Sequence, residues 1–357
     1  MQERIKALLS DVIDPNTGLS LVASKAVKSV EVNGDKVKVE VELGYPAKSQ
    51  VALIAGLVQE KLASAGIDAE VAVTQKIIAH QVQMGVKVFE NVRNIIAVSS
   101  GKGGVGKSTV AANLALALQA EGARVGLLDA DVYGPSQPTM LDIHESPTTK
   151  DGKTMEPLNG HGLQVASIGA LIDPDQPMIW RGPLAVSALK QLLTQTNWND
   201  LDYLVVDMPP GTGDIQLTLA QEVPVTGAVV VSTPQDIALM DAKKGLVMFE
   251  KVNVPILGII ENMATHICSC CGHEEHIFGE GGAKKMAEKY GVELLGEIPL
   301  DIRIRMSMDA GRPIVIEEPE GKLAAVYKEI ARKVGIAVAK RNKDYSAKMP
   351  GIKISND

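Results

Sequence analysis

The chain has 357 residues, of which 45% are hydrophobic and 22% charged, enough for a full α/β domain with a smaller module beside it. A net charge of −7 argues against a polyanion held by bulk electrostatics, so no nucleic-acid partner is expected, and 3% aromatic content leaves little for base-stacking platforms. No apolar run reaches membrane-span length and Met1-Gln2-Glu3-Arg4 opens no signal-peptide core, so the expectation is a cytoplasmic protein with no membrane contact.

Residues 1–80 read as a small α-β-β-α-β assembly or docking domain. Ile5, Leu8, Leu9 and Ile13 share a helical face that Asp14-Pro15 should end. Two strands, over 26–32 and 36–43, flank an Asn33-Gly34-Asp35 turn. The second alternates Val37, Val39, Val41 and Leu43 with charged residues, the mark of a half-buried strand. A helix over 51–65 and a strand over 69–73 complete the module, which holds no cluster of catalytic spacing. Residues 81–93 read as a linker.

From 94 to 340 strand and helix patterns alternate, which predicts a doubly wound, mostly parallel sheet of the nucleotide-binding kind. Short apolar runs place strands at 95–99, 125–129, 203–208, 228–232 and 256–260. The first leads into Gly101-Lys102-Gly103-Gly104-Val105-Gly106-Lys107-Ser108-Thr109, and a helical pattern follows with Val110, Leu114, Ala117 and Leu118 on one face. The glycines let successive N–H groups turn toward a phosphate chain, and the helix opening at Lys107 adds its dipole. Lys107 supplies charge to the terminal phosphates, and the Ser108 hydroxyl can ligate Mg²⁺.

Asp129-Ala130-Asp131 closes the next strand, where two carboxylates beside a triphosphate can hold Mg²⁺ through water and orient an attacking water. The stretch 142–175 reads as a long excursion with a hairpin, and Trp180-Arg181-Gly182-Pro183 carries no functional assignment. Leu204-Val205-Val206-Asp207 ends in a carboxylate placed for Mg²⁺, and Met208-Pro209-Pro210-Gly211-Thr212-Gly213-Asp214 suits a switch that responds to a γ-phosphate. Asn262, at the end of the 256–260 strand, offers the donor and acceptor that an adenine edge requires, or an Asx turn.

All three cysteines fall within Cys268-Ser269-Cys270-Cys271. Cys268 and Cys271 have the C-x-x-C spacing that brings two thiolates to one metal or cluster, with Cys270 a bystander or an alternative ligand. Two thiolates leave a tetrahedral site half filled. His273 and His276 could complete it as zinc, two chains could each donate a pair, or the pair could be a redox dithiol. Leu323, Tyr327, Ile330 and Val334 mark a final amphipathic helix, and 341–357 is a polar tail.

The Gly101–Thr109 string closely resembles the loop of the deviant Walker A ATPases. Together with Asp129–Asp131, Asp207–Asp214 and the cysteine pair followed by Ile277-Phe278-Gly279, it resembles the Mrp/ApbC-type iron–sulfur cluster carrier proteins over about residues 90–340. The N-terminal module resembles the small domain that precedes the ATPase in many bacterial members. The resemblance implies a homodimer that binds and hydrolyses ATP with Mg²⁺. It further implies a [4Fe–4S] cluster bridged by Cys268 and Cys271 of both subunits and passed to apo-proteins, with cluster-assembly factors as further partners. Lys102 would then reach the partner's phosphates, making Lys102, Lys107 and Asp131 the catalytic set, while Asp207 sits near Mg²⁺ and Asn262 at the adenine. Hydrolysis should be slow, because a γ-phosphate site completed by a partner lysine exists only in the dimer. The competing readings are a MinD/ParA-like positioning ATPase and a zinc-bound regulatory ATPase.

Overall fold

The computed structural model describes residues 1–34, 36–83, 86, 89, 91–171, 182–268 and 270–344. Asp35 of the expected turn, part of the linker, Trp180-Arg181 and the tail from 345 onward lie outside them. The N-terminal unit runs α1 (Gln2–Leu9), β1 (Val27–Asn33), β2 (Lys36–Leu43), α2 (Val51–Ala63) and β3 (Ala69–Gln75). β2 is the middle strand, antiparallel to β1 and parallel to β3. Its Val37, Val39, Val41 and Leu43 are buried against Ile54, Val58 and Leu62 of α2, as period-two alternation requires.

The first helix is shorter than its periodicity suggests. α1 ends at Leu9, and Ile13 is exposed and bridged to Ser20. Val12 takes the core position instead, while the Tyr45 hydroxyl donates to the buried Asp14 Oδ2 at 2.7 Å. A buried carboxylate with its own donor overrides the helical pattern there.

The larger unit runs β4 (Val92–Ser99), α3 (Lys107–Ala120), β5 (Val125–Asp129), α4 (Gln137–Met140), β6 (Leu158–Gly160), β7 (Leu163–Ser167), α5 (Gly182–Gln195), β8 (Leu201–Asp207), α6 (Asp214–Glu222) and β9 (Gly227–Ser232). It continues with α7 (Asp236–Lys251), β10 (Ile256–Asn262), β11 (His266–Ile267), β12 (Glu274–Glu275), α8 (Gly282–Tyr290), β13 (Leu294–Ile298), α9 (Ile302–Asp309), α10 (Ile314–Glu317) and α11 (Lys322–Ala339). Its sheet has the order β13-β10-β9-β4-β8-β5-β7-β6, parallel throughout except for β6 against β7. The fold is therefore the doubly wound, mostly parallel sheet that the sequence predicts.

β4 shows why helices are needed on both faces. Ile96 and Val98 pack with α3 and α11, whereas Ile95 and Ala97 pack with α5, α6 and Phe249 of α7. α3 is buried all round, not on one face: every residue from Val110 to Leu118 is inaccessible, because α11 covers the side away from the sheet. The expected 142–175 hairpin exists as β6–β7, but β7 also joins β5 and widens the sheet.

The two units meet at the far end of α3. Glu121, fully buried, accepts from Ser49 N at 3.0 Å, from Ser49 Oγ at 2.7 Å and from Arg332 Nη1 at 2.7 Å. Arg332 also donates to Asn16 Oδ1 at 3.2 Å, and Ile336 of α11 enters the core of the small unit.

Candidate functional site

β4 stops at Ser99 and α3 starts at Lys107, so residues 100–106 cross the carboxyl end of the sheet beside β8 and β9. Gly104 and Gly106 have φ of +85° and +80°, values that a side chain resists. Gly106 is the residue before the first turn of α3, and a Cβ there would meet Nδ2 of Asn262. Gly101 lies against the backbone of Asp241 and Ala242 in α7, where a Cβ would overlap main-chain atoms. The loop is thus held by contact on two sides before any ligand arrives.

Lys107 Nζ sits 2.5 Å from Asp207 Oδ1 and 3.2 Å from Ser108 Oγ, with both charges of the pair buried. Gln137 Nε2 donates to the second oxygen of Asp207 at 2.8 Å and to Ser108 O at 3.0 Å. Gln137 is the residue that sequence reasoning missed. Its only local signal is Pro138 marking the first turn of α4, and its partners lie far away in sequence.

Asp129 is completely buried and stands behind this pair. Its Oδ2 accepts from Ser167 Oγ at 2.9 Å and Gln137 N at 3.2 Å, and its Oδ1 accepts from Asp131 N at 3.2 Å. Burial, reinforced by the charge of Asp207, pushes its carboxyl up to about 7. Asp131 is shifted upward too, by burial, with the Lys107 charge opposing. Lys102 is exposed, its carbonyl accepting from Ser100 Oγ at 2.9 Å, and its ammonium forms no ion pair among the described residues. The loop after Asp207 is tied to the same segment, Gly211 N donating to Ser100 O at 2.9 Å.

Asn262 does not make an Asx turn. Its Nδ2 donates to Val105 O at 2.9 Å, so the end of β10 clasps the glycine loop. The chain then passes into β11, which pairs antiparallel with β12 through His266–Glu275 and Ile267–Glu274. Cys268 N donates to His273 O at 2.9 Å and Gly272 N to Cys268 O at 2.8 Å, closing a knuckle whose Gly272 has φ +72°. The cysteines are all free, Cys270 and Cys271 exposed and Cys268 partly so. Hydrogen bonding from the backbone N–H groups of Cys270 and then Cys271 holds the Cys268 thiol below the ordinary range. Among the described residues no three His, Cys, Asp or Glu side chains converge on one metal position, so Cys268, Cys271, His273 and His276 do not form an assembled intrachain zinc set. His276 Nδ1 instead faces Ala264 O at 3.1 Å.

Residues 91–335 match the family model described as NUBPL iron-transfer P-loop NTPase. The chain belongs to that family. Residues 2–74 match a second model, described as an iron–sulfur cluster assembly protein. An iron–sulfur cluster carrier protein of Haemophilus influenzae is 51% identical over 337 residues, covering 93% of this chain and 91% of that one. The iron–sulfur cluster transfer protein NUBPL of Mus musculus is 51% identical over 250 residues, 70% of this chain and 78% of its own. Among solved structures, a nucleotide-binding protein of Archaeoglobus fulgidus in complex with ADP is 40% identical, with a TM-score of 0.57 over 66% of this chain and 91% of that one. The cell-division ATPase MinD of Pyrococcus furiosus, 23% identical with a TM-score of 0.51 over 68% of this chain and 98% of its own, shares the fold. No helix among the described residues is long and apolar enough to cross a membrane.

Proposed function

We propose that this iron-transfer NTPase binds Mg²⁺-ATP at the Gly101–Thr109 loop, hydrolyses it slowly as a homodimer, and carries a [4Fe–4S] cluster to apo-proteins. The observation that carries this is the continuous path from nucleotide loop to cysteine knuckle: Asn262 holds Val105, and Cys268 follows six residues later on the same strand exit. Asn262 thereby joins the glycine loop to the strand exit that leads to the knuckle.

In this reading the cluster is cargo, held by Cys268 and Cys271 of each copy, four thiolates in all. Lys107, which pairs with Asp207 in this structure, would serve the β- and γ-phosphates, and the Ser108 hydroxyl and, through water, Asp207 would hold Mg²⁺, which would neutralise charge on those phosphates. Asp131 orients the attacking water, and Asp129 sets the hydrogen bonds behind it. Lys102, exposed and unpaired among the described residues, reaches the partner's phosphates. Asn262 keeps its Oδ1 to accept from the adenine amino group. Residues 1–80 serve as the docking unit for assembly partners, 94–340 as the ATPase, and the setting is the cytoplasm.

Anaerobic reconstitution with iron and sulfide tests the reading. Wild type and Cys270→Ser should bind both elements, and Cys268→Ser and Cys271→Ser should lose them. Equal binding by all four proteins, or purification with zinc and no sulfide, would overturn it.

A further inference from the structure

One face of α7 has no role in the site. Met240, Lys243, Lys244, Val247 and Lys251 recur at three- and four-residue steps, the spacing of one helical stripe, while Ala242, Gly245, Leu246 and Phe249 on the other side are buried. Leu217 of α6 stands across from the stripe and Met248 lies at its base, and together they enclose a groove of about 550 Å³. The floor is apolar and the rim is lysine. Lys244 is paired with Asp241 at 3.0 Å, but Lys243 and Lys251 have no ion pair among the described residues. In a chain of net charge −7, an apolar trough with three lysines is a local reversal of sign.

We propose that this groove docks an acidic amphipathic helix of a second protein, its apolar residues against Leu217, Val247 and Met240 and its carboxylates against Lys243 and Lys251. The charge selects an acidic partner, and unbranched methionines adapt to different apolar side chains. A phosphate backbone fits less well, because three lysines astride an apolar floor offer few contacts and the rest of the chain repels a polyanion. Thr212 also lines the groove and belongs to the loop that follows Asp207. That the partner is a cluster recipient or assembly factor rests on the function proposed above; the docking itself does not.

A phage-displayed library of 14-residue helical peptides, selected on the full chain with Mg²⁺-ATP, tests this. The enriched peptides should carry carboxylates at i and i+4 beside an apolar stripe. Their affinity, read by fluorescence anisotropy, should fall about ten-fold in Lys243→Glu/Lys251→Glu and recover when the peptide carboxylates are exchanged for lysines. ATP hydrolysis and cysteine-dependent iron binding of that variant should match wild type, which separates failure here from failure of the carrier reading. Enrichment without acidic residues, or equal affinity for wild type and variant, overturns the proposal. So does lysine-dependent binding of phosphatidylglycerol vesicles or duplex DNA in place of the peptides, or loss of self-association in the variant.

Discussion

The side-chain amide of Asn262 donates to the main-chain carbonyl of Val105 at 2.9 Å, joining the end of β10 to the middle of the glycine loop. This bond fixes the loop from the side that leads to the cysteine knuckle, and a neutral buried hydrogen bond of this kind is worth about 1 kcal/mol, more if its acceptor is left unpaired. Asn262→Ala should therefore weaken Mg²⁺-ATP binding about ten-fold by calorimetry. The ATP-over-GTP preference should fall in the same variant, since the acceptor assigned to the adenine amino group is lost as well. An unchanged preference would remove Asn262 from base recognition and leave it the loop clasp alone.

Lys107 and Asp207 form an ion pair with both members buried. Removing one partner strands the other, which typically costs about 3–5 kcal/mol. Lys107→Ala should lower the stability of the nucleotide-free protein by that order in denaturant titration. Lys107→Ala/Asp207→Asn should regain part of the loss, although neither variant should hydrolyse ATP. A single variant as stable as wild type would mean that water reaches the pair.

Asp129 gives a pH signature with a definite sign. Its carboxyl is raised to about 7 by burial and by Asp207, so between the unfolded value near 4 and about 7 the native state binds more protons than the unfolded one. Its contribution to stability is present below pH 4 and is lost as the pH rises to 7. In metal-free buffer, Asp129→Asn should flatten that falling limb relative to wild type. Parallel pH profiles for the two proteins would contradict the shift.

Much of this was legible locally. The glycine loop, the Asp207 strand and the Leu323, Tyr327, Ile330, Val334 stripe each carry their signal within a few residues, and the structure places them as that signal directs. β13 was not legible, because Leu294-Leu295-Gly296-Glu297-Ile298 is an edge strand with a glycine and a charge inside it, and only pairing with β10 makes it a strand. Gln137 and the Asn262 clasp escaped for a related reason: each is defined by a partner far away in sequence. The burial of α3 on all sides likewise depends on α11, which lies some 200 residues later.

Glu121 anchors the small unit at the base of the P-loop helix, through Ser49 and Arg332. Glu121→Ala would leave Arg332 facing a buried gap and free two donors of Ser49, a loss of about 3 kcal/mol. Limited proteolysis should then cut near residues 76–93 faster than in wild type, while the larger unit still binds ATP. Equal cleavage rates would show that the remaining contacts, among them Ile336 in the core of the small unit and Lys48 N on Glu121 O, keep the units together.

Gly101 is small for a reason other than backbone freedom. Its conformation is open to any residue, but its Cα faces the carbonyl of Asp241 and the next amide of α7, so even a methyl group meets main chain that cannot rotate away. Gly101→Ala must push α7 and the glycine loop apart. Nucleotide binding should fall at least ten-fold, with the helix content unchanged by circular dichroism. Gly103→Ala, whose added Cβ would make only an ordinary contact with Pro210, should retain binding by comparison. If both variants bind ATP equally, the seat of the loop on α7 is not what holds its shape.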